Sequence, residues 1–368
     1  MKLNRIAQLG AVAAVAALAL TGCAANEPSG NGSSAGPSES SEAALSGTLN
    51  ATGASSQDAA QQAWVAAFQT ANNGVTVNYQ ATGSGVGRDN FLAGGQSFIG
   101  SDRAFNDEEI AAGGFGSCAS DAIVEVPVYI SPVAIIFNID GVDSLNLDAA
   151  TVAQIFNGDI TNWNDPAIAA DNGDVALPDL AISPVHRSDP SGTSEIFTGY
   201  LEAVAPDAWP HEASDEWPLS SGEAAQGTSG VVAAVNSGAG TIGYADASQA
   251  GDLGTVAVKV GEEFVPYSSE AAAALVEASP LVEGRSAGDL VFDIDPAAAP
   301  AGSYPIALVS YLIACEKYED ANTAALVSAY FEFVASAEGQ EVASGAAGSA
   351  PLSDTLRDQI NAAIALIG

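Results

Sequence analysis

Four stretches of this chain share one grammar: a strand-like run, a short loop of Ser, Thr and Gly, then the start of a helix. They are Gly53-Ala-Ser-Ser-Gln57, Thr82-Gly-Ser-Gly-Val86, Gly100-Ser-Asp102 and Arg187 to Thr193. Strands that alternate with helices specify an α/β fold with largely parallel sheets, in which ligands bind outside the carboxyl ends of strands, where helices begin. Free backbone N–H groups at such starts point outward and carry the positive end of the helix dipole. That suits an oxyanion, and small side chains let it come close.

Hydrophobic periodicity fills in the rest. Val75–Gln80 alternates with period two, and Ile123–Asn138 is a longer apolar run interrupted at Pro127 and Pro132; both are strand patterns. Ala60, Trp64 and Phe68 mark a helix stripe, with Ser55 and Asp58 at capping-box spacing before it. Ile196, Phe197, Tyr200, Leu201 and Val204 mark another, opened by Ser191-Gly-Thr193 and closed by Pro206. A helix over 230–236, strands over 241–244 and 305–314, and closing helices over 323–336 and 353–367 extend the pattern. The expectation is an α/β protein of two lobes, each a mixed, mostly parallel sheet flanked by helices, with a crevice between them.

The N-terminus reads as a lipoprotein export signal: Lys2 and Arg5, an apolar Ala11–Leu20, then Leu20-Thr-Gly-Cys23. Residues 1–22 are then the signal peptide and Cys23 the acylated N-terminus. Residues 23–46, rich in Ala, Ser, Gly, Pro, Asn and Glu, form a flexible linker. Ten apolar residues are too few to span a bilayer, so a lipid would tether the exported chain to the outer face of the cell membrane. The net charge is −36, and losing Lys2 and Arg5 leaves seven basic residues against 45 acidic ones, or −38. Such a field repels phosphate backbones, so no nucleic-acid partner is expected. Cys118 and Cys315 remain in a compartment that permits disulfides, and a bridge between them is expected where geometry allows it.

Against this field, recognition of an anion has to be local. His186-Arg-Ser-Asp-Pro-Ser-Gly-Thr-Ser194 sets Arg187, one of only nine basic residues, against a run of hydroxyls and a Gly. Asp189, two positions on, can hold the guanidinium fork from behind; the plain alternative is a surface pair worth under about 1 kcal/mol. His186, Ser188 or Ser194, and Asp189 superficially supply a hydrolytic triad. Triad members converge from separate elements, however, and His186 and Arg187, neighbours at a strand end, should point to opposite sides. No enzyme is expected. His186 and His211 lack partners at ligand spacing, so no metal site and no cofactor are implied, and the acidic runs 107–109 and 293–295 read as solvated surface.

The string Val185-His-Arg-Ser-Asp-Pro-Ser-Gly-Thr193, with Ile155-Phe-Asn-Gly-Asp-Ile-Thr-Asn-Trp-Asn-Asp-Pro166, Gly227-Thr-Ser-Gly-Val231, Ile242-Gly-Tyr244 and Tyr304-Pro-Ile306, resembles the phosphate-binding protein of the ABC phosphate importer, the PstS family, from about Gly47 to Leu356. The resemblance implies a type II periplasmic-binding-protein fold that closes by hinge motion on inorganic phosphate and delivers it to ABC transporter permease subunits. A monomer is expected, with lobe 1 formed by residues 47–130 and 248–368 and lobe 2 by residues 131–247. Carried over by motif, the phosphate contacts fall on Ser55, Ser56, Ser84, Asp102, Arg187, Ser191, Gly192 and Thr193, with Asp189 supporting Arg187. Where the family commonly has an aromatic and prolines in the first loop, this chain has Ser56-Gln57-Asp58, which leaves open whether Ser55 or Ser56 donates. Pro190 stands where Gly is common and has no N–H to give.

Asp102 is then the discriminating position. A carboxylate facing an anion is repelled by about 4 kcal/mol at 4 Å and an effective dielectric of 20, so it suits only a ligand that brings a proton. Phosphate near neutral pH keeps an O–H and sulfate has none, so sulfate would leave Asp102 both repelled and unsatisfied. The bland alternative is a helix cap, since a helix is expected over 106–112. The functional alternatives are a binding protein for another tetrahedral oxyanion, sulfate or molybdate, and a surface adhesin or phosphatase-like protein that keeps the fold.

Overall fold

The computed structural model describes residues 45–368; the signal peptide, Cys23 and nearly all of the linker lie outside the described residues. From β1 (Gly47–Gly53) the chain passes through α1 (Asp58–Ala71), β2 (Val75–Gln80), α2 (Ser84–Ala93), β3 (Phe98–Ser101) and α3 (Asp107–Ala112) to β4 (Ile123–Phe137). It continues through β5 (Ser144–Leu147), α4 (Ala149–Asn157), α5 (Pro166–Asp171), β6 (Ser183–Arg187), α6 (Gly192–Val204), β7 (Glu223–Ala225), α7 (Gly227–Ser237) and β8 (Thr241–Asp246). After β9 (Gly254–Val260), β10 (Glu263–Val265) and α8 (Ser269–Ala278) comes β11 (Ala307–Cys315), followed by α9 (Ala321–Ala335), α10 (Ala337–Ala347) and α11 (Asp354–Ile364).

The strands make a curled sheet of two sections that share β4. The order is β2-β1-β3-β11-β4-β8-β6-β7, with β9 also on β4 and carrying β5 and β10. β1 lies parallel to β2 and β3, and β6 parallel to β8 and β7, so the strands feeding the Ser/Gly loops follow the expected parallel logic. β11 runs against β3 and β4, and β4 against β8 and β9. These two long strands form an antiparallel spine, which makes the sheet more mixed than simple strand–helix alternation suggests.

All fifteen residues of β4 are buried. It pairs with β11 as far as Pro132 and with β8 from Val133 onward, so the strand itself carries the chain from one section to the next. Pro127 sits at a bulge where the register skips Val128, and Pro132 sits where the partner changes. A proline lacks the N–H that a continuous ladder needs and is tolerated at such irregularities. The run that reads as twice interrupted is therefore a single strand.

On α1 the stripe Ala60, Trp64 and Phe68 is buried together with Gln61, and Trp64 Nε1 donates to the Gly339 carbonyl at 2.7 Å, docking α10. The expected Ser55–Asp58 capping box does not form: Gln57 is the cap residue and makes no side-chain cap bond, because Ser55 is engaged elsewhere. Ser191 does cap α6, accepting from the Ser194 N–H at 3.3 Å. Asn106 and Glu109 form the capping box of α3, so Asp102 is not a cap. Cys118 and Cys315 are bonded, tying the loop after α3 to the end of β11 across 197 residues. Among the described residues no helix is long and apolar enough to cross a membrane.

Candidate anion-binding site

The loops after β1, β2, β3 and β6 meet beside the shared strand, and Asp102, buried just beyond β3, is where they join. Ser56 Oγ and Ser310 Oγ donate to its Oδ1 at 2.5 and 2.6 Å, and Thr193 Oγ1 donates to Oδ2 at 2.8 Å. Its backbone N–H donates to Ser84 Oγ at 3.1 Å. The proton directions are set from behind. Tyr330 OH donates to Gln61 Oε1 (2.8 Å), Gln61 Nε2 to Gln57 Oε1 (2.8 Å), and Gln57 Nε2 to Ser310 Oγ (2.6 Å). An amide nitrogen can only donate, so the Ser310 proton has to point at Asp102. A carboxylate has about four acceptor positions; the protein fills three and leaves capacity on Oδ2 for one more O–H.

Arg187 ends β6 with its guanidinium buried. Nε donates to Asp189 Oδ1 at 2.8 Å and Nη2 to Asp189 Oδ2, a fork that leaves Nη1 outside the pair. Gly227 N–H donates to Asp189 Oδ1 at 2.9 Å. Burial alone would raise the Asp189 carboxyl, but the Arg187 hydrogen bonds and charge, then the Gly227 N–H, outweigh it and hold the group below the usual carboxylate range. Gly83 stands over this pair at φ +102°; a Cβ there would lie 2.5 Å from Asp189 Oδ2, so the position needs glycine on both counts. At Gly192 a Cβ would lie 2.7 Å from the Asp102 Cβ, which is how closely α6 approaches β3.

Helix starts surround these charges. Ser84 opens α2 and Thr193 lies in the first turn of α6. Thr228, in the first turn of α7, gives its N–H to Ser55 Oγ at 3.1 Å, with the two hydroxyls 3.0 Å apart. The positive ends of three helices therefore point into one small volume next to Arg187, in a chain otherwise dominated by negative charge. Ser56 commits its hydroxyl proton to Asp102, whereas Ser55 accepts from the Thr228 N–H and pairs with the Thr228 hydroxyl, either of which can be the donor.

The superficial triad does not assemble. His186 stacks on Trp217 with ring centroids 4.9 Å apart and its Nδ1 lies 2.8 Å from the Arg187 carbonyl, while Ser194 Oγ pairs with Tyr244 OH at 2.7 Å. Sequence reasoning missed Ser310, Gln57 and Thr228. Ser310 left a signal, as the one hydroxyl between apolar residues in Ala307–Val309 and Leu312–Ala314 other than the Tyr311 beside it, and Gln57 and Gln61 stand one helical turn apart on a buried face. Neither signal names its partner.

Two lobes built around one shared strand, with polar loops and helix starts gathered where they meet, define a two-lobed solute-binding protein of the type II class. The profile of the PBP superfamily domain matches residues 38–338. The phosphate-binding protein PstS 3 of Mycobacterium leprae is 35% identical over 99% of both chains. A high-affinity periplasmic phosphate-binding protein solved with phosphate superposes with a TM-score of 0.70 at 22% identity, over 86% of this chain and 93% of that one. The phosphate-binding protein from Stenotrophomonas maltophilia does so with a TM-score of 0.63 at 21% identity, over 86% and 93%. The chain belongs to the PstS family of phosphate-binding proteins. These relatives are named as binding proteins, not enzymes.

Proposed function

We propose that this chain binds inorganic phosphate between its lobes, outside the cytoplasmic membrane, and hands it to the permease of an ABC importer. The observation that carries this reading is the environment of Asp102: three protein hydroxyls donate to it and one acceptor position is left, beside a buried arginine and three helix starts. A fully ionised anion would meet a carboxylate there with nothing to offer it, whereas a phosphate O–H fills the fourth position. Arg187, Ser55, Ser84 and the α6 start at Ser191, Gly192 and Thr193 supply the remaining donors, and Asp189 fixes the arginine fork. Ser56 acts through Asp102.

In this reading the chain is anchored by lipid on Cys23, works as a monomer, and closes about the β4 crossing. The sheet pairing favours assigning β9 and β10 to lobe 2, because β9 pairs with the end of β4 and with β5; the return to lobe 1 then falls after Val265 instead of near residue 247. Calorimetry of the purified chain against phosphate, sulfate and molybdate tests the function. Micromolar or tighter phosphate binding, about −8 kcal/mol or better, with no sulfate binding is expected. Comparable affinity for sulfate would remove the role given to Asp102.

A further inference from the structure

Three of the five arginines among the described residues stand around the site, and two of them, Arg88 and Arg103, are not among the proposed anion contacts. Arg88 lies on α2 with its side chain 4% exposed. Its Nη2 is 2.6 Å from Asp215 Oδ2 and its Nη1 donates to Ser101 Oγ at 3.1 Å. Helix α2 packs on β1 and β3 in one sheet section, whereas Asp215 belongs to the stretch between α6 and β7, beside the other. The Asp215 carbonyl accepts the Ser191 N–H at 2.8 Å, and Ser101 immediately precedes Asp102. One buried guanidinium thus joins the neighbour of the site carboxylate to the residue that seats the α6 start.

Arg103 forms a second, wetter half. It forks onto Glu109 at 2.6 and 3.0 Å, and its Nη2 lies 4.0 Å from Asp215 Oδ2. Its Nε lies 2.9 Å from Glu195 Oε2 on α6 but is turned off the line to that oxygen, which makes this a charge contact and not a hydrogen bond. A cavity of about 650 Å³ lined by Asp102, Arg103, Glu195, Phe292 and Tyr311 brings solvent to this half. Burial, and next the like charge of Arg103, pull the Arg88 pKa down, while Asp215 opposes them. Arg88 would be a costly residue without that partner.

We propose that Arg88 and Asp215, backed by Arg103 and Glu195, form a charge latch across the cleft: positioning residues that hold the lobes together without touching the ligand and so set how long it is retained. The latch rests on the phosphate reading above. Opening the cleft separates these charges, so their attraction belongs to the closed state alone, and apparent affinity scales with the fraction of molecules that can close. Both sheet sections carry excess negative charge that favours opening; the two arginines act against it. Loss of the latch should therefore appear in release, not in capture.

The test compares the full chain with Arg88→Met, Asp215→Asn, the double variant and Glu195→Gln. Two quantities are read: phosphate binding and release, and the distance between spin labels at Gln62 on α1 and Ala170 on α5 with no phosphate added. The latch predicts a roughly tenfold weaker Kd for either Arg88→Met or Asp215→Asn, through faster release. It predicts a double variant no worse than the weaker single one, and a longer label distance in each. Unchanged release, or losses that multiply in the double variant, would overturn it. Glu195→Gln, at the solvent-facing half, should show a smaller acceleration of release. It decides the matter if Arg88→Met does not fold, since unaltered release there also overturns the latch. Because the label distance is read without phosphate, lobes that part in Arg88→Met in a chain that binds no phosphate would refute the functional reading and leave the latch standing.

Discussion

Thr193 Oγ1 donates to Asp102 Oδ2 at 2.8 Å, joining the first turn of α6 to the end of β3 across 91 residues of sequence. The bond ties the arginine loop to the carboxylate, so affinity and selectivity reside in one connected structure. Replacing Asp102 with Asn keeps the shape, removes the charge and turns one acceptor into a donor. Phosphate affinity should fall roughly ten- to a hundredfold while sulfate binding becomes measurable, because the repelled and unsatisfied acceptor is gone. Titration calorimetry with both anions reads this directly; an Asp102→Asn variant that still excludes sulfate would show that selectivity lies elsewhere.

Arg187→Ala should weaken phosphate binding by about a hundredfold or more, since it also leaves Asp189 buried without its partner. The control has to be chosen from the structure. Arg285 is unsuitable, because it lies within 4 Å of the buried Glu125 and Asp289 and its loss would strand them. Arg357, paired only with the exposed Asp354, is the proper comparison, and Arg357→Ala should bind phosphate as the parent chain does.

How much of this was legible follows from sequence distance. Arg187 and Asp189 are two residues apart, and the Ser191 cap reaches three residues on, so local spacing reveals both. Ser310 meets Asp102 from 208 residues away and Gln57 meets Ser310 from 253, distances that no spacing rule can bridge. Periodicity reported that β4 is buried, but burial does not say which strand lies alongside, so the change of partner at Pro132 was invisible. The Ser55 cap failed for a related reason: a hydroxyl at the right local spacing was claimed by Thr228, 173 residues later.

Asp246, at the end of β8 opposite Val133, should make stability fall as pH rises. Burial pushes its carboxyl up to about 6, with hydrogen bonds from Ser248 and Tyr129 to Oδ1 working against the shift, and its Oδ2 is buried without a partner. A carboxyl raised in the folded state favours the protonated form. Its contribution is therefore present below the unfolded value near 4 and lost between about pH 4 and 6, amounting to about 3 kcal/mol. Asp246→Asn can still accept from Tyr129 and Ser248. Relative to the parent chain it should gain stability at pH 7 and little at pH 4 in urea unfolding; a gain confined to pH 4 would contradict the assignment.

The disulfide should support the fold without touching the site. Cys118→Ser with Cys315→Ser should lower unfolding free energy by about 2–4 kcal/mol, the usual contribution of a bridge that closes a long loop. Phosphate affinity should stay within twofold, because neither cysteine meets the loops around Asp102.

Ser310 offers the sharpest separation of orientation from stability. Its hydroxyl receives a proton from Gln57 Nε2 and passes its own to Asp102 Oδ1, so it converts the fixed polarity of the Tyr330–Gln61–Gln57 chain into a fixed acceptor face on the carboxylate. Ser310→Ala removes one donor from Asp102 and strands one Gln57 N–H, although Gln57 Nε2 keeps the Tyr311 carbonyl at 3.1 Å. The expected cost to stability is therefore modest, about 1 to 2 kcal/mol. Without Ser310, Oδ1 keeps only the Ser56 donor and gains one vacant acceptor position, and the carboxylate can turn away from Thr193 and from the ligand O–H. Phosphate affinity should drop by roughly tenfold while sulfate remains excluded, because the negative charge is still there. Ser310→Thr, which restores a hydroxyl on a β-branched residue suited to a strand, should recover most of the loss. A variant pair in which Ala and Thr bind phosphate equally well would mean that Asp102 needs no alignment from β11.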